Sequence, residues 1–275
     1  MESSHTDTKT TSPDPLSLEL LNVRKKYEDS FNSGVYLSTY YDDINGNDSI
    51  FQKFVLNNLH NIFTTYKVTG KKLLDIGTGP SIVSIISASR YFEDIYLSDF
   101  CKENRAHLKL WVNNDNNKHN WDSFFNFVSQ LEGTTTQEIT TRLRNKIVDI
   151  VYCDVLSAGI IENNISNFDC ITTSLCLETA CVTEDHFRSA IKNIYSLLND
   201  TGYLIIIGDL QESTYTLLDG TTFKSLNVTK QFLENTLTQT GFMIKKLITL
   251  DQENKSNYYN ANGHYIIVAN KQLEN

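Results

Sequence analysis

The sequence lacks any apolar run long enough to span a bilayer, any Cys-x-x-Cys pair and any excess of positive charge. The first absence predicts no membrane partner. The second removes the usual zinc and redox spacings. Five cysteines remain, Cys101, Cys153, Cys170, Cys176 and Cys181. They are odd in number and read as free thiols of a reducing compartment, so a cytoplasmic location and no metal are expected. The third absence, 24 Lys and Arg against 33 Asp and Glu with a net charge of -9, argues against nucleic acid as a partner. The opening Ser/Thr-rich stretch has no apolar centre, which predicts no signal peptide, and residues 1–16 are expected to be a disordered tail. There is no internal repeat and no linker, so the reading is a single domain over 17–275, acting as a monomer on a small molecule.

What is present is organised around Leu73-Leu74-Asp75-Ile76-Gly77-Thr78-Gly79-Pro80-Ser81. It reads as a buried strand, a tight turn and the start of a helix over Ile82–Ser89. Gly77 and Gly79 can take backbone conformations closed to other residues and let a ligand approach the main chain. Helix N–H groups beyond Pro80 would suit an anionic group such as a carboxylate.

Before the turn, Ser17–Ser30 is predicted helical, with Leu18, Leu21, Val23 and Tyr27 on one side. Val35–Tyr41 holds three tyrosines and reads as a helix or lid. From Ser49 to Tyr66 apolar residues recur at helical spacing. After the turn, strands are predicted at Asp94–Asp99, Ile147–Tyr152, Phe168–Thr173 and Tyr203–Ile207, with a last pair at Met243–Thr249 and Tyr265–Ala269. Helices are predicted at Asn104–Val112, Glu184–Asn199 and Val228–Thr240. Residues 113–145 read as an insertion of helices and loops, and Tyr215–Leu226 as a β-hairpin. Strands alternating with helices imply an α/β fold, a mainly parallel sheet with helices on both faces and an antiparallel C-terminal strand.

In such sheets ligands lie beyond the carboxyl ends of the strands, where Asp99, Asp154 and Asp209 fall. Asp99 follows the glycine turn by about 20 residues, the spacing at which an acid holds ribose hydroxyls. A dinucleotide site prefers a third glycine, and Ile82 stands in its place. S-adenosyl-L-methionine fits better: its carboxylate suits the helix start, its ribose Asp99, and its adenine Asp154 and the adjacent backbone.

Beyond these single features the chain resembles the methyltransferases that include the nicotinamide, phenylethanolamine and indolethylamine/thioether enzymes. The resemblance rests on Tyr36-Leu37-x-x-Tyr40-Tyr41, the glycine stretch, Leu97-Ser98-Asp99-Phe100 with Asn104, Cys153-Asp154-Val155 and Leu175-Cys176-Leu177-Glu178. It continues through Asp209 to Tyr215, Phe223-x-Ser225 and Gly263. It implies a Rossmann-like class I methyltransferase fold with an N-terminal helical lid. It assigns Gly77, Thr78, Gly79, Ser81, Asp99, Asn104, Asp154, Val155 and Ser174 to S-adenosylmethionine, with Tyr36 and Tyr41 closing over it. Tyr36 and Asp209 are the implied catalytic residues. Asp209, Ser213, Tyr215 and Ser225 are the implied acceptor contacts, leaning towards a nicotinamide- or pyridine-like nitrogen. Thr216 and Gln211 depart from the nicotinamide and phenylethanolamine patterns respectively, so other amines, or a thioether, stay open as acceptors.

The reaction expected is in-line transfer of a methyl group from a sulfonium to nitrogen, driven by alignment and exclusion of water. A catalytically silent cofactor-binding relative acting as a regulator is the competing expectation. His264 and His186 lack ligand-spaced partners and read as surface or packing residues. The Cys176/Cys181 pair reads as core packing and Glu212 as solvated. Glu178 reads equally as a helix cap or a substrate-facing acid.

Overall fold

The computed structural model describes residues 15–46, 49–157, 159–162, 165–252 and 256–272. Seven strands form its main sheet: β1 Gly70–Ile76, β2 Phe92–Asp99, β3 Ile147–Tyr152, β4 Phe168–Ser174, β5 Leu198–Leu210, β8 Phe242–Asp251 and β9 Gly263–Lys271. Their order is β3-β2-β1-β4-β5-β9-β8. The first five are parallel, while β9 runs antiparallel to both β5 and β8. A separate two-stranded ribbon joins β6 Thr214–Thr216 to β7 Thr222–Lys224. The order switches direction between β1 and β4, and the glycine turn leaves β1 at that switch, where α/β sheets bind their ligands.

Strand side chains alternate, so each strand feeds two cores. Leu73, Ile205, Ile207, Ile266 and Val268 face one core. Leu74, Leu204, Ile206, Tyr265 and Ile267 face the other. The first core is covered by α3 Ile50–Thr65, α4 Lys102–Val112, α5 Asp122–Glu132 and α6 Thr136–Lys146. The second lies under α7 Leu177–Ala180, α8 Glu184–Leu197 and α9 Lys230–Thr240. α3 buries Phe51, Val55, Leu56, Leu59, Ile62 and Phe63, each contributing roughly 1.5–3 kcal/mol by removal from water.

The segment 113–145 holds α5 and most of α6. Trp121, Phe124, Phe125, Val128, Ile139 and Leu143 from it are buried in the first core. α6 opens with a capping box, Thr135 and Glu138 each bonding the other's backbone N–H.

The stretch after the glycine turn departs from the predicted helix. Val83–Ile85 and Ala88–Arg90 are two single 3-10 turns. β-branched residues alternate there with serines whose hydroxyls are drawn elsewhere: Ser84 donates to Asp75 Oδ2 at 2.9 Å and Ser89 to the Ile86 carbonyl at 2.6 Å.

At the N-terminal end the first helix, α1 Pro15–Ser30, begins inside the expected tail, whose residues 1–14 lie outside the described ones. Its predicted apolar side divides. Leu18 and Leu21 are exposed, whereas Val23 and Tyr27 face the interior cavity described below. α2 Ser33–Tyr40 follows, capped by the Asn32 side chain on the Val35 N–H.

Candidate functional site

A cavity of about 530 Å³ opens at the carboxyl ends of the central strands. Its cover is α1, α2 and the β6–β7 ribbon, joined by a small apolar cluster of Phe31, Leu217 and Phe223. Polar ties complete the cover. Lys26 donates to the Thr222 carbonyl at 2.5 Å, the Tyr40 hydroxyl to the Thr216 carbonyl at 2.9 Å, and the Leu218 N–H to Thr39 Oγ1 at 3.1 Å.

Gly77 and Gly79 both adopt left-handed backbone, at φ 64° and 63°. A Cβ on Gly77 would stand 2.1 Å from Cys176 Sγ, so that position is closed to any side chain. At Gly79 a Cβ would meet nothing nearer than Ser81 N at 4.0 Å; bare backbone here borders the cavity. The 3-10 turns that follow are too short to present a helix N-terminus, so the predicted anion seat there is absent.

Asp99 ends β2 and is 4 % exposed. Its Oδ2 accepts from Gly79 N at 2.7 Å. Its Oδ1 accepts from Cys101 N at 2.7 Å and from Asn104 Nδ2 at 3.0 Å. Burial raises its pKa, and these three donors oppose the rise. Asn104 itself does not line the cavity; it is fully buried behind Asp99, with Ser33 Oγ donating to its Oδ1 at 2.8 Å. Thr78 lines the cavity, but its hydroxyl donates to the Asp75 carbonyl at 3.0 Å. Asp75 lies beneath the turn, where Thr172 and Ser84 donate to it and burial pushes its carboxyl up to about 6.

Asp154, Val155, Ser81 and Ser174 also border the cavity. Asp154 already has a cationic partner: Arg24 of α1 reaches its Oδ1 at 2.7 Å. The acid predicted to meet the adenine therefore also fastens the cover. Tyr36 and Tyr41 line the same space, their ring centroids 5.7 Å apart, and Tyr41 packs on Trp121 and Phe124.

A second polar group gathers at the ends of β5 and β9. Asp209 and His264 are direct cross-strand partners, and His264 Nδ1 bonds Asp209 Oδ1. His264 is 2 % exposed; its Nε2 meets Gln252 Oε1 at 3.2 Å and its ring packs on Phe51 at 4.6 Å. His264 is thus no surface residue; its ring packs as read, and it also borders the cavity beside Asp209. Glu212 is also corrected: it is 5 % exposed, lines the cavity and stands beside Asp209 and Ser225. Burial and the Asp209 charge drive its carboxyl well above the usual range. Glu178 is buried and lines the cavity; the Tyr265 hydroxyl donates to its Oε1 at 2.6 Å, and burial pushes it up to about 7. Cys181 packs in the core, while Cys176 borders the cavity against Gly77.

Of the predicted acceptor contacts, Asp209, Tyr215 and Ser225 line the cavity. Ser213 does not. It is exposed, and its hydroxyl accepts from Asn260 Nδ2 at 2.8 Å. Ser213 follows the end of β5, and the Asn260 pairing turns it away from the interior. His264, Arg24 and Glu212 are cavity residues that sequence reasoning missed. The signal for His264 lies in strand register, and the long loop between β8 and β9 hides it.

The NNMT/PNMT/TEMT family model matches residues 19–272. Indolethylamine N-methyltransferase of Oryctolagus cuniculus is 31% identical over 252 residues, 90% of this chain and 95% of that protein. Nicotinamide N-methyltransferase of Homo sapiens is 29% identical over 252 residues, 89% of this chain and 94% of that protein. The crystal structure of magnesium protoporphyrin IX methyltransferase from Synechocystis PCC 6803 with bound S-adenosylhomocysteine superposes with a TM-score of 0.57 at 14% identity, covering 92% of this chain and 100% of that one. At that identity the likeness concerns the fold.

Proposed function

We infer the work of the cavity from one premise: the chain belongs to the NNMT/PNMT/TEMT family. It is an S-adenosylmethionine-dependent N-methyltransferase. We propose that the glycine turn, Asp99 and Asp154 hold S-adenosylmethionine, and that Asp209 holds a small nitrogen-containing acceptor. The observation that carries this reading is one cavity bordered both by the bare backbone of Gly79, fixed to Asp99, and by the Asp209 group.

The residues present fit that cofactor. Gly79 leaves space where a side chain would stand, and the acids lining the cavity favour a cationic sulfonium. Bound there, S-adenosylmethionine supplies an electrophilic methyl group. Gly79 and Asp99 would fix the ribose half, and Asp154 with Val155 the adenine. Tyr36 and Tyr41 would face the sulfonium with their rings, an interaction of roughly 0.5–2 kcal/mol. The cover of α1, α2 and the ribbon excludes water, which strengthens every charge interaction inside. Asp209 would orient the acceptor nitrogen, and alignment lowers the barrier.

The acceptor is a small molecule, either pyridine-like or an amine. The indolethylamine and nicotinamide enzymes named above support that range. Ser213 standing outside the cavity removes one of the contacts that favoured a carboxamide. We propose a cytoplasmic location, supported by the free cysteines among the described residues, and no nucleic acid partner, supported by the net charge of -9; a monomer is the simplest proposal for a single small-molecule cavity. No helix among the described residues is long and apolar enough to cross a membrane. The test is methyl transfer from labelled S-adenosylmethionine to nicotinamide, quinoline and arylalkylamines. Turnover of at least one supports the reading, and cofactor binding with no turnover of any would favour the silent relative.

A further inference from the structure

The cavity holds one imidazole that methyl transfer to a pyridine-like nitrogen has no use for. His264 lies directly across the sheet from Asp209, hydrogen-bonded to it and bordering the cavity. The alternation of the strands explains the meeting. Ile205, Ile207 and Asp209 share a face of β5, and His264, Ile266 and Val268 share that face of β9.

Among the described cavity residues the basic side chains are Arg24, which pairs with Asp154, and the imidazole of His264. The other titratable groups facing the pair are acids and phenols. Glu212 follows β5, Glu178 lies in the short helical turn Leu177–Ala180, Tyr40 and Tyr41 end α2, and Tyr259 stacks edge-on to the ring. α3 presents the uncharged Phe51.

The contact with Asp209 needs a hydrogen, and beside an ionised carboxylate that hydrogen sits on Nδ1, so Nε2, which faces the Gln252 amide, is the ring nitrogen left to gain or lose a proton. When it gains one, both ring N–H groups already have acceptors in place.

We propose that His264 is the proton-accepting partner of Asp209, and that the acceptor this pair serves is a primary or secondary amine that arrives as its ammonium ion. The proposal rests on the reading of the cavity as an N-methyltransferase site. An ammonium nitrogen has no lone pair. One N–H bond breaks, leaving its electron pair on nitrogen, and the proton passes to His264 Nε2, while the Asp209 carboxylate on Nδ1–H balances the imidazolium charge. The freed pair forms the bond to the methyl carbon, while the carbon–sulfur pair departs with sulfur. The imidazolium returns its proton to solvent after turnover. A pyridine-type nitrogen keeps its lone pair in the neutral form and skips the proton step.

The test compares a primary arylalkylamine with quinoline, over neutral to alkaline pH, in wild type and His264→Asn. Asparagine can keep a hydrogen bond to Asp209 but cannot take a proton. The expected result is amine turnover reduced roughly 10²- to 10⁴-fold near neutrality. Turnover recovers as pH rises and free amine forms in solution. Quinoline turnover stays within a few-fold, as does S-adenosylmethionine affinity by calorimetry. In the wild type, the His264 ring signals in NMR move to the imidazolium position when the amine is added and hold still with quinoline. This reading does not depend on the variant folding. Equal losses for both acceptors at every pH, or an unmoved imidazole, overturn the proposal. Wild-type turnover of quinoline or nicotinamide without the amine overturns it while leaving the proposed function standing; turnover of none of the three overturns both.

Discussion

Asp209 shows how much a single side chain depends on neighbours that arrive from elsewhere in the chain. The sequence placed it at a strand end, and there it stands; its company, His264 and Glu212, comes from the cross-strand register and the first residues after β5. Asp209→Ala is expected to lower turnover of the preferred acceptor by at least tenfold, with S-adenosylmethionine affinity kept within about threefold, because a carboxylate that only orients the acceptor is not needed by the cofactor. Calorimetry beside steady-state kinetics separates the two, and equal losses would make Asp209 structural. Glu178 carries a different consequence. Burial lifts it from the ordinary 4.5 to about 7, and Asp75 from 3.8 to about 6. Between those values the folded protein binds more protons than the unfolded chain, so stability falls as pH rises through that window. Thermal melting in the absence of cofactor should therefore be highest near the lower end. Glu178→Gln, which keeps an acceptor for Tyr265, should flatten the fall and raise the melting temperature at neutral pH.

Among the elements, the alternation of strands and helices was legible because period-two and period-3.6 apolar patterns are written locally. The stretch Ile82–Ser89 was misread because its apolar residues satisfy either pattern, whereas its serines bond back to the chain and to Asp75 only once the tertiary structure exists. Ser213 and His264 were misplaced for a related reason. One is turned by Asn260 and the other aimed by strand register, and both depend on the loop between β8 and β9, whose path the sequence does not specify. The cover is an element-scale device. Arg24 ties α1 to Asp154, the acid proposed for the cofactor side. Arg24→Ala should weaken S-adenosylmethionine binding by roughly two- to tenfold, mainly through faster release, which stopped-flow displacement would read. Thr135→Ala, far from the cavity, removes the capping box of α6. It should cost about 1 kcal/mol in denaturant unfolding and leave turnover unchanged.

At the scale of the whole molecule, one sheet edge gathers chemistry from the length of the chain. The turn after β1, the acid ending β2, the loop after β3 and the β5–β9 pair all border one cavity, beneath a cover built from the first two helices and the β6–β7 ribbon. The missing third glycine keeps its meaning there. Ile82 is buried in the core, where a dinucleotide turn would bring helix and phosphate together. The central claim is that this edge holds S-adenosylmethionine through Gly79 and Asp99. The most direct measurement is calorimetric titration of wild type and Asp99→Ala with S-adenosylmethionine and with NAD. Micromolar binding of S-adenosylmethionine to the wild type, weakened at least tenfold by the substitution, with no heat from NAD, is the predicted result. Binding of NAD without S-adenosylmethionine, or an affinity that Asp99→Ala leaves untouched, would contradict it.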